Sequence, residues 1–310
     1  MKTKFILILL ALTLVLASCD TGSDVSVPAD NSLPSVENSV PATENSTPAP
    51  EVSTPATENS EVSEETSTPD ESKPDKEDSW IYSGQGVDTH GVDQRRLDEF
   101  LEDSLFVGDS VTDGFKLYVN NYGNLPSVNF FSTASYGYIN ACRDKESSSL
   151  HPKIGGETKY IWEAVEYYEA KRVFINFGLN DFGYIQDSKL VECLQTICDN
   201  IHSSSSDTEI VFMSCGFFTK NARNAGKGVD NDRVRAKNEI VLNFCKENGY
   251  DFIDVSWAYA DAEGYLDSQY SYDDYCHLGY SKYNFWEDIL YGYAADKILG
   301  QYENIETMLK

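Results

Sequence analysis

Ser104-Leu105-Phe106-Val107-Gly108-Asp109-Ser110 is the stretch on which the fold turns. Leu105, Phe106 and Val107 form a short apolar run without a polar break, as in a strand covered on both faces. Gly108-Asp109-Ser110 ends it abruptly, and the chain from Thr112 to Tyr122 then reads as helical. A buried strand that feeds straight into a helix is the opening of a β-α unit. Ser110 therefore sits at the carboxyl end of a strand and the amino end of a helix, where free backbone N–H groups can stabilise negative charge. An ordinary helix cap is the other reading of a serine in that place.

The same alternation continues outward from this stretch. Strands are expected at Ser104 to Gly108, Val128 to Ser132, Arg172 to Phe177, Glu209 to Ser214 and Asp251 to Val255. Leu190, Cys193, Leu194, Ile197 and Ile201 mark one helical face, and Ile240, Val241, Phe244 and Cys245 mark another. A closing helix is expected from Ser281 to Leu299, with Phe285, Ile289, Leu290 and Ala294 turned inward. Short apolar strands separated by amphipathic helices predict a single α/β domain over residues 80–310, a parallel sheet between two helical layers. Ligands of such sheets gather at the carboxyl ends of the strands. The irregular stretches Ala141 to Glu157 and Gly216 to Asp232 are expected to shape that end.

Residues before Trp80 read differently. Lys2 and Lys4 precede an apolar run from Phe5 to Leu16, which is the anatomy of an export signal over residues 1–18 and too short for a comfortable membrane span. Leu16-Ala17-Ser18-Cys19 resembles the lipobox of bacterial lipoproteins, which implies lipid on Cys19 and a place on the outer face of the cell membrane. Residues 19–79 hold eight of the ten prolines, and between Asp20 and Ser79 there is no aromatic residue. The hexapeptide Pro41-Ala42-Thr43-Glu44-Asn45-Ser46 returns at Pro55 to Ser60. Such a segment buries too little apolar surface to offset its ordering entropy, so a disordered tether is expected, spanning roughly 45 Å root-mean-square.

The formal net charge of -27 divides unevenly, with 15 acids and 2 bases between Asp20 and Ser79. The remainder of the chain is acidic as well, which argues against nucleic acid or anionic lipid as the substrate surface. After Cys19 come Cys142, Cys193, Cys198, Cys215, Cys245 and Cys276. An even number outside the cell permits disulfides, and apolar surroundings equally suit buried thiols; no Cys-x-x-Cys metal pair is present.

Three segments beyond Ser110 fall after other expected strands. They are Ser135-Tyr136-Gly137, Gly178-Leu179-Asn180-Asp181 and Asp274-Tyr275-Cys276-His277. With Gly108-Asp109-Ser110 they resemble, in order and spacing, the blocks of the SGNH or GDSL-type hydrolases, over nearly all of the folded part. The resemblance implies a flavodoxin-like fold with a five-stranded parallel sheet in a three-layer αβα sandwich, and hydrolysis of esters or thioesters. It implies Ser110 as nucleophile, His277 as base and Asp274 as the group that orients it. An oxyanion hole would draw on the Ser110 and Gly137 N–H groups and the Asn180 amide, with Ser135 as the other candidate in the second block. Asp109, Gly178 and Asp181 would support these loops. No metal or other cofactor is required by that chemistry; Asp113, which with Asp109, Asp181 and Asp274 could suggest a cation site, suits the positive end of a helix. His90, His151 and His202 are read as ordinary surface or core residues.

Tyr265, Tyr270, Tyr272, Tyr275 and Tyr280 crowd the last block. Aromatic faces beside a catalytic histidine suit a sugar ring, so the expected substrate is an acetylated cell-wall or environmental polysaccharide. A lipase, lysophospholipase or thioesterase on the same residues is the competing expectation. An inactive carbohydrate-binding surface lipoprotein is a third.

Overall fold

The computed structural model describes residues 88–146, 149–226 and 229–308. The export signal, Cys19 and the tether expected above lie outside the described residues. In chain order the elements are α1 (Gln94–Leu101), β1 (Ser104–Gly108), α2 (Ser110–Asn121), β2 (Asn129–Ser132), α3 (Tyr138–Ala141), the two-residue strands β3 (Lys153–Ile154) and β4 (Glu157–Thr158), and α4 (Ile161–Tyr167). They continue with β5 (Arg172–Asn176), α5 (Asp187–Ser204), β6 (Glu209–Met213), α6 (Lys220–Asn224), α7 (Asn231–Asn248), β7 (Asp251–Ile253) and α8 (Asn284–Leu299).

Five strands form one sheet in the order β2-β1-β5-β6-β7, and every pair in it is parallel. All residues of β1 and β5 are buried, as central strands covered on both faces must be. Phe106 of β1 stacks on Phe174 of β5 with ring centroids 4.7 Å apart. One layer packs α5 against α3, α4 and α7, and the other brings α1 onto α8. The expected inward residues of α5 are all buried. On α7, Val241, Phe244 and Cys245 are buried as expected, whereas Ile240 is half-buried and Leu242 takes its place in the core. On α8, Ile289, Leu290 and Ala294 are buried and Phe285 only partly so. This is the three-layer αβα sandwich with the expected five-stranded sheet.

Register decides where the loops emerge. Gly108 pairs with Ser132 and Asn176, and Asn176 with Met213, which pairs with Ile253. The carboxyl ends of all five strands are thus level, and their loops leave from one edge.

Several strands stop one or two residues earlier than expected, because side chains take over from the ladder. Ser214 Oγ accepts the N–H groups of Val255 and Ser256 at 2.9 and 3.1 Å and donates to Asp254 Oδ1 at 2.8 Å. Asn238 on α7 holds Cys215 by both its N–H and its carbonyl, at 2.8 and 2.9 Å. The closing helix begins three residues later than expected, after a 3-10 turn at Tyr280–Lys282. There the buried Tyr283 donates its hydroxyl to the Val111 carbonyl at 2.8 Å, tying α8 to the first turn of α2.

Cys142 and Cys193 are joined by a disulfide that ties the end of α3 to α5. Cys198, Cys215, Cys245 and Cys276 are buried free thiols. The two expectations for the cysteines therefore both hold, for different residues.

Candidate active site

Asp109, not Ser110, is the cap of α2. Its backbone is extended, and Oδ1 accepts the Val111 N–H at 2.9 Å. With that donor satisfied by its neighbour, the Ser110 hydroxyl is free to turn outward, and it lies 2.8 Å from His277 Nε2. The Ser110 N–H belongs to the first turn of α2, where amides lack intrahelical acceptors. The Asp113 carboxylate in the same turn accepts from Ser132 Oγ at 2.6 Å and so fastens α2 to the end of β2.

His277 stands on a loop that closes on itself. Tyr272 donates its N–H to the His277 carbonyl at 3.1 Å, and Ser271 bridges Leu278. Here the structure corrects one sequence expectation. The carboxylate against His277 Nδ1 is that of Asp273, at 2.6 Å, and not that of Asp274. Asp274 sits at φ +51°, a left-handed turn that sends its carboxylate to Asn221 Nδ2 at 2.9 Å and Ser268 Oγ at 3.2 Å. Asp273 Oδ1 meanwhile accepts the N–H groups of Tyr275, Cys276 and His277 and the Ser271 hydroxyl. Burial alone would raise this carboxyl; the donors from His277, the backbone and Ser271 outweigh it and hold the group below its ordinary range. An ionised Asp273 at this distance fixes the proton on Nδ1 and leaves Nε2 as acceptor for Ser110.

The loop is held from outside by Gly216 to Asp232, the stretch expected to shape substrate. Thr219 donates its N–H to the Tyr275 carbonyl at 2.9 Å and its hydroxyl to the Asp274 carbonyl at 2.7 Å. Phe218 packs on Tyr275 with centroids 5.2 Å apart. Sequence reading missed Asp273, Thr219 and Asn221. The adjacent Asp273-Asp274 pair was a visible signal, yet spacings of three and four residues to a histidine cannot be told apart without the backbone.

Asn180 joins two strand ends. Its Nδ2 donates to Asp109 Oδ2 at 2.8 Å and to the Tyr136 carbonyl at 3.1 Å. The turn before it needs Gly178, whose φ is +138° and whose added Cβ would lie 2.6 Å from Cys215 Cβ. Asp181 Oδ2 accepts the Ile139 N–H at 3.1 Å at the start of α3, and a Cβ on Gly137 would stand 2.6 Å from that oxygen. Gly137 is thus buried against Asp181, as a close-packing position. Ser135, two residues earlier, is exposed and at φ +64°, a backbone region that favours glycine. Burial pushes the Asp109 carboxyl up to about 7 and the Asp181 carboxyl up to about 6.

His90, His151 and His202 lie elsewhere: His90 bonds Asp296, His151 is buried beside Tyr136 and Tyr160, and His202 packs near Tyr250. Of the five tyrosines, Tyr270 packs on Tyr259 and Phe285, Tyr275 lies on Phe218, and Tyr265 is half-buried. Tyr272 and Tyr280 are exposed and stacked on each other, with Tyr272 5.9 Å from the His277 ring. A serine hydroxyl, an imidazole with a fixed tautomer and a nearby side-chain amide together can carry out acyl transfer.

The family model of the GDSL-like Lipase/Acylhydrolase family matches residues 106–283. No curated protein matches the chain. Among solved structures, a GDSL-like lipase from Bacteroides thetaiotaomicron VPI-5482 is 14% identical, with 63% of this chain and 88% of that one covered at a TM-score of 0.44. An active-site mutant of a family two carbohydrate esterase from Clostridium thermocellum is 14% identical, covering 64% of each chain at 0.41. A carbohydrate esterase family 3 structure from Talaromyces cellulolyticus is 12% identical, covering 64% of this chain and 96% of that one at 0.41.

Two predictions follow from the geometry. Asp273→Asn should lower kcat on a simple ester about 10²–10⁴-fold by releasing the imidazole tautomer, while Asp274→Asn, whose carboxylate bonds Asn221 and Ser268 and not the imidazole, should cost less than about tenfold. Steady-state kinetics of both variants on p-nitrophenyl acetate check this, and equal losses would refute it. The second concerns Asp109, whose raised carboxyl keeps in the folded state a proton that the unfolded chain releases above its ordinary value of 3.8. That contribution is intact in acid and is lost as pH rises from about 4 through about 7, on the order of 4 kcal/mol. Urea unfolding across this range should show a shallower pH slope in Asp109→Asn than in the parent chain; parallel slopes would rule the mechanism out.

Proposed function

The chain belongs to the GDSL-like lipase/acylhydrolase family and is a carboxylic ester hydrolase, and we propose that it removes short acyl groups, chiefly acetyl, from a polysaccharide by way of an acyl-enzyme on Ser110. The contact that carries this reading is the 2.8 Å approach of Ser110 Oγ to His277 Nε2, with Asp273 behind the ring.

Ser110 Oγ attacks the ester carbonyl as His277 Nε2 takes its proton, and Asp273 stabilises the imidazolium that forms. The tetrahedral oxyanion is met by the Ser110 N–H, by the Asn180 amide and by a backbone N–H of the Ser135–Gly137 segment. Both Nδ2 hydrogens of Asn180 are engaged in the free site, and the longer bond, to the Tyr136 carbonyl, is the one an oxyanion would replace. His277 then returns its proton to the leaving alcohol, and water repeats the sequence to release the acid.

The short acyl group is supported by a cavity of about 20 Å³ walled by Val111, Leu179, Phe217, Leu266, Leu278 and Trp286. Val111, Leu179 and Leu278 are the chain neighbours of Ser110, Asn180 and His277. A cavity of that size suits a short acyl group better than a long chain. The sugar is supported by Tyr272 and Tyr280, which are 62% and 50% exposed and stacked beside His277. The acidic surface favours a neutral glycan over an anionic membrane. We also place the protein at the outer face of a bacterial membrane, held by lipid on Cys19 and a tether long enough to reach a cell wall. The support is the Leu16 to Cys19 sequence and the composition that follows.

Hydrolysis of p-nitrophenyl esters tests the acyl preference. The kcat/KM for acetate should exceed that for octanoate by at least about tenfold, with Ser110→Ala inactive on both and acetate released from acetylated xylan or peptidoglycan. A preference for the longer ester would instead favour a lipase. Fractionation of cells that carry the full chain tests the location: activity should sit in the membrane pellet and leave it in Cys19→Ala, and unchanged sedimentation would argue against the anchor.

A further inference from the structure

The closed loop that presents His277 places three potential metal ligands together: Asp273, Cys276 and His277 each offer one donor atom, and these atoms lie within 4.8 Å of one another. We propose that this loop is a binding site for a zinc-like divalent cation, and that its occupation switches the esterase off. The inference rests on the serine-esterase reading above, since it concerns the regulation of the same histidine.

Geometry points to a borderline-soft, four-coordinate ion. Zn–S near 2.3 Å and Zn–N near 2.0 Å at a tetrahedral angle put sulfur and nitrogen roughly 3.6 Å apart. Cys276 Sγ and His277 Nδ1 stand 3.7 Å apart. The Asp273 oxygen, 2.6 Å from Nδ1, would have to withdraw to roughly 3.3 Å, a small side-chain movement that the same principle of tetrahedral ligation requires. A thiol, an imidazole and a carboxylate are a donor set for zinc, whereas magnesium and calcium prefer oxygen alone. Water would complete the fourth position.

The consequence for catalysis comes from proton balance. Nδ1 carries the proton shared with Asp273, and Cys276 carries its thiol proton; as the Zn–N and Zn–S bonds form, the thiol proton leaves to solvent and the ring's one N–H proton passes by way of solvent from Nδ1 to Nε2. With Nδ1 metallated, the neutral imidazole holds its one N–H proton on Nε2. An Nε2–H faces Ser110 as a donor and cannot accept the hydroxyl proton. Asp273 is diverted in the same step from the ring to the metal. Cys276, buried and without a role in acyl transfer, thereby acquires one.

The full-length chain, stripped by chelator, is assayed on p-nitrophenyl acetate with added zinc chloride. Micromolar zinc should lower the rate at least tenfold, excess EDTA should restore it, and magnesium at the same concentration should not change it. In Cys276→Ser, each rate compared with its own zinc-free value, the loss should shrink to under twofold. Cobalt(II) provides a readout that needs no turnover: a near-ultraviolet thiolate-to-cobalt absorption band is expected in the parent chain and should vanish in Cys276→Ser and in His277→Ala. Absence of that band, or zinc inhibition as strong in Cys276→Ser as in the parent, would overturn the site. A chain that shows the cobalt band yet turns over no ester would retain the metal site and refute the esterase reading instead.

Discussion

A single buried carboxylate, that of Asp109, meets two demands at once. One oxygen caps α2 through the Val111 N–H, and the other receives the Asn180 amide. The first contact relieves Ser110 of capping and leaves its hydroxyl for His277; the second fixes the Asn180 side chain, which comes from another strand. Burial opposes the charge on this group and pushes its carboxyl up to about 7. The site is therefore built on a group whose ionisation the fold itself resists, in keeping with the tendency of perturbed carboxyls to cluster where function lies.

What gives Asp109 its partners is the level edge of the sheet. Because Gly108, Ser132, Asn176, Met213 and Ile253 are in register, the loops after five strands share one rim. Asn180 crosses from the third sheet strand in sequence to Asp109 on the first and Tyr136 on the second. The fourth contributes Thr219 and Asn221, which do not face substrate but grip the histidine loop. Rigid strands thus position Ser110 and Asn180, and His277 is carried on a loop that other loops restrain.

Much of this was legible in the chain because it depends on short-range pattern. Continuous apolar runs marked the strands, and the five apolar residues on one face of α5 marked its orientation. The legible part ended where distant partners decide the conformation. Strand ends at Ser214 and Asp254 depend on side-chain bonds between neighbouring strands. The cap of α2 could have been either Ser110 or Asp109, since each residue type suits the position. Asp274 is turned away from His277 by Asn221, 53 residues distant, and no local spacing records that. The Cys142–Cys193 disulfide likewise required α3 to be seated on α5 before its partners could be known.

The chemistry finally rests on one proton, that between Asp273 Oδ2 and His277 Nδ1, held at 2.6 Å. Proton NMR of the imidazole N–H region observes it directly. A strongly downfield Nδ1–H resonance is expected in the parent chain and in Asp274→Asn, and it should disappear or move upfield in Asp273→Asn. Loss of the resonance in Asp274→Asn with its retention in Asp273→Asn would contradict the arrangement described.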